Sequence, residues 1–155
     1  MEKVNLELEV NGEALTFYIF PNLTLLEVLR AEAGLTGAKE GCGEGVCGHC
    51  TVLLDDLPIR ACLTLAVEAD GHAVTTVEGL AAGETLDPLQ EAFIEHGSVQ
   101  CGFCTPGMLM SAKGLLMEDP QPDEQKIRHA LSGNICRCTG YAKIVEAVEA
   151  AAKKQ

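Results

Sequence analysis

Eight cysteines in two groups of four constrain this 155-residue chain more than any other feature. Cys42, Cys47 and Cys50 give C-x4-C-x2-C, and Cys62 follows after eleven intervening residues. Cys101 and Cys104 give C-x2-C, and Cys136 and Cys138 give C-x-C, with 31 residues between the pairs. How such a set is read depends on its compartment, because cysteines pair as disulfides in oxidising surroundings and bind metals or do redox chemistry in reducing ones. The N-terminal Met1-Glu2-Lys3-Val4 passes at once into alternating sequence, without an apolar h-region or a twin arginine. No apolar run approaches the ~20 residues of a membrane span. A cytoplasmic location is therefore expected, and with it metal binding. Eight cysteines in 155 residues also fall short of a disulfide scaffold's density.

The first group has the spacing of a plant-type [2Fe–2S] site, in which one loop delivers three thiolates and a neighbouring segment the fourth. Gly41, Gly43, Gly45 and Gly48 surround these cysteines. They let the loop wrap closely and turn backbone N–H groups toward the sulfurs, where hydrogen bonds raise the reduction potential. A structural zinc site usually pairs two short C-x2–4-C turns, and Cys62 has no second cysteine beside it. His49 is expected to be an exposed loop residue rather than a ligand. A phosphate-binding loop is discounted because the segment carries Glu44 and has no lysine in the required place.

Around these sites the chain reads as α+β. Val4, Leu6, Leu8 and Val10 alternate with polar residues, Asn11-Gly12 marks a tight turn, and Leu15, Phe17 and Ile19 resume the alternation. Residues 4–20 thus predict a β-hairpin with four apolar side chains of the first strand on one face. Thr24-Leu25-Leu26-Glu27 has capping-box spacing and opens a short helix that Gly34 ends. Thr51-Val52-Leu53-Leu54 predicts a strand, residues 55–58 a turn, and Ala73 to Val77 a last β-rich run. Beyond Gly79 helical spacing takes over, which divides the chain into 1–79 and 80–155. Asp87-Pro88 and Thr105-Pro106 have the N-cap and N1 pattern of helices reaching about Glu95 and Met117. Asp123 opens a third helix that ends at Ser132-Gly133, and a fourth follows Thr139-Gly140, so this half predicts a four-helix bundle.

With 11 Lys+Arg against 23 Asp+Glu the formal charge is −12, which removes the electrostatic footprint of a nucleic-acid binder. The second cysteine group is less decisive on spacing alone, and zinc remains open for it. Both of its pairs precede predicted helix starts, whose N–H groups favour anionic ligands. Arg137, between Cys136 and Cys138, either offsets ligand charge or lies on the surface.

Three longer motifs together resemble the molybdenum hydroxylases, the xanthine dehydrogenase and aldehyde oxidase family: Glu40-Gly41-Cys42 through Cys50, Gln100 through Gly107, and Gly133-Asn134-Ile135-Cys136-Arg137-Cys138-Thr139-Gly140-Tyr141. The resemblance spans essentially the whole chain and matches the family's separate small iron–sulfur subunit. It implies a plant-type ferredoxin β-grasp domain followed by the helical domain, and a second [2Fe–2S] cluster held by Cys101, Cys104, Cys136 and Cys138. It further implies electron relay between a molybdenum–pterin centre in a large subunit and FAD in a medium subunit, within a dimer of heterotrimers. Catalysis itself would lie in a partner subunit. Gln100 and the segment at Cys138 would then approach the pterin, and the cluster of Cys42, Cys47, Cys50 and Cys62 would lie toward the flavin. The competing expectations are a free-standing two-cluster ferredoxin and a zinc-stapled interaction module. The resemblance does not choose among purines, aldehydes, N-heterocycles and other substrates.

Overall fold

The computed structural model describes residues 1–154. Its N-terminal part is a mixed five-stranded sheet of order β2-β1-β5-β3-β4. The hairpin of β1 (Val4–Val10) and β2 (Glu13–Ile19) pairs Val4 with Ile19 and Val10 with Glu13. Asn11 and Gly12 close it with φ of 53° and 83°, the left-handed pair that matches strand twist. Leu6, Leu8 and Val10 are buried as the alternation requires, but Val4, at the open end of the strand, is exposed. The expected apolar face therefore has three members.

The capping box at Thr24 forms, with Thr24 Oγ1 accepting from Glu27 N at 3.2 Å and Glu27 Oε2 accepting from Thr24 N at 2.7 Å. The α-helical part, α1 (Leu25–Glu27), is a single turn, and Val28–Glu32 continues it as a wider turn in which Ala33 N–H reaches Val28 O. Leu25, Val28 and Leu29 are fully buried against the sheet, and Gly34 leaves the helix at φ 71°.

Residues 55–58 were expected to turn; only Asp55 and Asp56 do, at φ 46° and 67°. β3 (Thr51–Leu54) and β4 (Leu57–Arg60) form a second hairpin, with Leu53 opposite Pro58. Pro58 is tolerated because β4 is the sheet edge, where a missing N–H breaks no ladder. The strand β5 (Ala73–Thr75) runs parallel to β1 and antiparallel to β3.

Four helices follow: α2 (Pro88–Glu95), α3 (Thr105–Glu118), α4 (Glu124–Leu131) and α5 (Ala142–Ala152). Asp87 caps α2 by accepting from Leu89 N, and Asp123 caps α4 by accepting from Lys126 N. Thr105 was expected to cap α3 but is its first helical residue. Cys104 holds the cap position and makes no side-chain cap hydrogen bond. The helices share one apolar core, including Phe93, Met108, Ile127, Leu131, Ile144 and Val148, distinct from the core beneath the sheet. Helix α3 also lies against β3 and β4, with Gly114 facing Pro58 and Leu53. That contact brings the two cysteine-bearing loops together. No helix among the described residues is long and apolar enough to cross a membrane.

Candidate iron–sulfur sites

All eight cysteines are free thiols, and their sulfurs come together in pairs. Cys50 Sγ and Cys62 Sγ are 3.3 Å apart, and Cys42 pairs with Cys47 in the same loop. Cys101 Sγ and Cys138 Sγ are 3.5 Å apart, and Cys104 pairs with Cys136. Among the described residues no three His, Cys, Asp or Glu side chains converge as ligands of one metal ion. Two cysteines at each of two irons is the donor set of a [2Fe–2S] core, so four sulfurs gathered as two pairs fit that group. Each cluster, when bound, stores one electron at a time.

The first loop is built as its glycines suggest. Glu44 N and Cys47 N both donate to Cys42 Sγ at 3.4 Å. The Cys47 amide, then that of Glu44, lowers the Cys42 thiol to about 7. Burial, with the Cys62 thiol beyond it, pushes Cys50 up to about 11, and burial beside Cys136 pushes Cys104 up to about 12. Burial would raise Cys136 as well, but hydrogen bonds from the hydroxyl and N–H of Thr139, with those from Cys138 and Cys104, together hold that thiol below its ordinary value. Thr139 Oγ1 and N lie 3.1 and 3.4 Å from Cys136 Sγ. Iron binding would have to displace protons from Cys50 and Cys104, whereas Cys42 gives up its proton more readily than an ordinary thiol.

The two loops are locked together by polar groups that the spacing of cysteines does not reveal. Ile135 N donates to Cys47 O at 2.8 Å, which joins a cysteine of the first group to the neighbour of Cys136. Asn134, almost fully buried, donates through Nδ2 to Gly48 O at 3.0 Å and accepts from Ser111 Oγ at 2.8 Å. Tyr141, at φ 69°, turns its hydroxyl back to accept from Cys136 N and donate to Asn134 O. His49 is not the free loop residue expected. Its Nε2 lies 2.7 Å from Ile135 O, its ring meets Phe103 edge-on at 5.1 Å, and its Nδ1 is buried without a partner. Arg137 is on the surface. Asn134→Ala would leave the Ser111 hydroxyl unpaired and strip a donor from Gly48 O, a loss of about 1–3 kcal/mol. Thermal unfolding should record it as a melting temperature lower by roughly 2–4 °C per kcal/mol; an unchanged value would show that the carboxamide does not hold the loops.

Each site has an exposed apolar margin. Val46 and Leu63 flank the first and are 62% and 61% exposed; Phe103 and Ile135 flank the second at 44% and 48%. Cys101 and Cys138 are themselves exposed, and so is Gln100 beside them.

Fold and sites together define a two-domain [2Fe–2S] protein. Residues 8–81 match the family model of the 2Fe-2S iron-sulfur cluster binding domain, and residues 76–149 match that of the [2Fe-2S] binding domain. The chain is 47% identical over 154 residues to the nicotinate dehydrogenase small FeS subunit of Eubacterium barkeri, covering 99% of this chain and 98% of that one. It is 52% identical over 147 residues to the nicotine 6-hydroxylase small subunit of Paenarthrobacter nicotinovorans, covering 95% and 88%. A chain of quinoline 2-oxidoreductase from Pseudomonas putida 86 superposes with a TM-score of 0.95 at 47% identity, covering 99% of this chain and 96% of that one. The aldehyde oxidoreductase of Desulfovibrio desulfuricans contains the same fold within 17% of its length, at a TM-score of 0.94 and 47% identity over 99% of this chain. The chain belongs to the small [2Fe–2S] subunits of the molybdenum hydroxylase family, whose catalysis resides in other subunits.

Proposed function

We propose that this chain relays single electrons between a molybdenum–pterin centre and FAD held by partner subunits. In this reading Cys42, Cys47, Cys50 and Cys62 hold the cluster nearer the flavin, and Cys101, Cys104, Cys136 and Cys138 hold the one nearer the pterin. The domains divide at residues 79 and 80, into a β-grasp ferredoxin unit and a four-helix bundle. A two-electron oxidation has to be split into single electrons, and two one-electron carriers in series do that. The supporting observation is the junction: the Cys47 carbonyl accepts directly from the amide of Ile135, next to Cys136, so the loops that carry the two sulfur sets are in contact.

The margins support docking at both ends. Gln100, Cys101 and Cys138 lie on the surface, where Gln100 and the backbone at Cys138 could meet a pterin, and Val46 and Leu63 offer an apolar rim for the flavin side. The partners in this reading are a large molybdenum-binding and a medium FAD-binding polypeptide, in a cytoplasmic dimer of heterotrimers. A free-standing ferredoxin would also keep an exposed cluster, but it has no reason for the Gln100-Cys101 or the Cys136-Arg137-Cys138-Thr139-Gly140-Tyr141 motif. Native copurification tests the proposal: both partners are expected with the chain, and recovery of the chain alone would overturn the subunit reading. Metal analysis should give about four iron and four acid-labile sulfide per chain. Zinc in place of iron, with no visible absorption, would sink the two-cluster assignment.

A further inference from the structure

Arg60 lies at the meeting point of the two cysteine-bearing loops. It ends β4, two residues before Cys62, and its side chain crosses to the helical part. Nη1 donates to Thr51 Oγ1 at 2.5 Å, and Nη2 donates to Gly133 O at 2.8 Å. Thr51, which follows Cys50, donates a hydrogen bond from its own hydroxyl to Gly48 O at 2.7 Å, the carbonyl that also accepts from Asn134 Nδ2. Gly133 opens the segment whose Ile135 amide bonds to Cys47 O. The guanidinium is thus tied to the Thr51 hydroxyl on one side and to the Gly133 carbonyl on the other, each within three residues of a cysteine.

Among the described residues no carboxylate pairs with it, although the chain carries 23 acidic residues. Its charge is permanent, since a guanidinium does not deprotonate in a protein. A half-buried, unpaired cation is screened less than a surface one. Each electron added to a cysteine-held cluster adds negative charge to an already anionic centre in a chain of net charge −12. A fixed positive charge beside such a centre favours the reduced form, because local charge is among the determinants of cluster potential.

We propose that Arg60 is a shared electrostatic group that raises the reduction potentials of both clusters, in addition to its hydrogen bonds across the junction. The inference rests on the two-cluster reading above. Potentiometric titration of the full chain with its clusters, followed by electron paramagnetic resonance, tests it with Arg60→Gln and Arg60→Lys. Gln can keep a hydrogen bond but loses the charge; Lys keeps the charge but cannot make the two-armed contact. Arg60→Gln is expected to lower the reduced-to-oxidised ratio of both clusters by about tenfold at a given potential, a shift of about 59 mV for one electron. Arg60→Lys is expected to stay within about twofold of the parent.

Equal shifts in the two variants, no shift in Arg60→Gln, or movement of one signal only would overturn the proposal. If Arg60→Gln fails to retain iron, Arg60→Lys decides. Both clusters kept at parental potentials would support the role of charge, and loss of iron or shifted potentials in that variant too would reduce Arg60 to a structural strap. An unmutated chain without two signals would instead refute the two-cluster reading.

Discussion

Cys136→Ser is expected to remove one cluster and spare the other. Cys136 shares its place with Cys104, and hydrogen bonds from Thr139 help hold its thiol below its ordinary value although burial opposes them. A serine hydroxyl is a harder and far less acidic donor than a thiolate, so the substitution withdraws one of two sulfurs from one iron. The remaining Cys104, with burial holding its proton to about 12, would not compensate. Iron and sulfide should fall from about four to about two per chain, with one of two paramagnetic signals lost on reduction. Cys62→Ser is expected to do the converse, since Cys62 is the partner that the loop around Cys50 draws from the end of β4. In the assembled complex Cys136→Ser should also uncouple substrate oxidation from flavin reduction. Loss of the same signal in both variants would refute independent sites.

The two cysteine groups differ in how far the sequence alone exposes them, and the reason is physical. In the first group the loop is local: three cysteines and four glycines lie within ten residues, and the hydrogen bonds from Glu44 and Cys47 to Cys42 Sγ close within that loop. Spacing therefore carries the chemistry. In the second group two short pairs, one preceding α3 and the other preceding α5, meet only through the shared core of the helical half, and local pattern leaves iron and zinc both open. Resemblance resolved what periodicity could not. The helices were legible through their caps at Asp87 and Asp123, whereas β4 was hidden by a proline that only an edge strand tolerates. Least legible were Arg60, Asn134 and His49, whose bonds across the junction reach partners 73 to 86 residues away and whose role exists only once the two halves meet.

That meeting has a steric condition, and Gly107→Ala should violate it. Within a helix this exchange ordinarily stabilises by about 1 kcal/mol. Gly107 has no unusual backbone conformation to protect, so nothing local argues against a methyl group. The obstacle is the first cysteine loop: a Cβ at Gly107 would run into the carbonyl oxygen of Gly48 and come within 3.0 Å of His49 Cα and 3.1 Å of Gly48 C. All three are backbone atoms, and Gly48 is held from the other side by Thr51 and Asn134. Neither surface can rotate away as a flexible side chain would. Overpacking of this kind costs typically 1–3 kcal/mol. With a contact that only backbone movement can relieve, we expect the upper part of that range, a net loss of about 2 kcal/mol after the helix gain, and a melting temperature lower by roughly 4–8 °C. The displaced loop carries Cys47 and Cys50, so the first cluster's paramagnetic signal should change while the second keeps its shape. A Gly107→Ala protein more stable than its parent would mean that the helical half does not rest on the first cysteine loop, and would remove the basis for treating the two sites as one rigid unit.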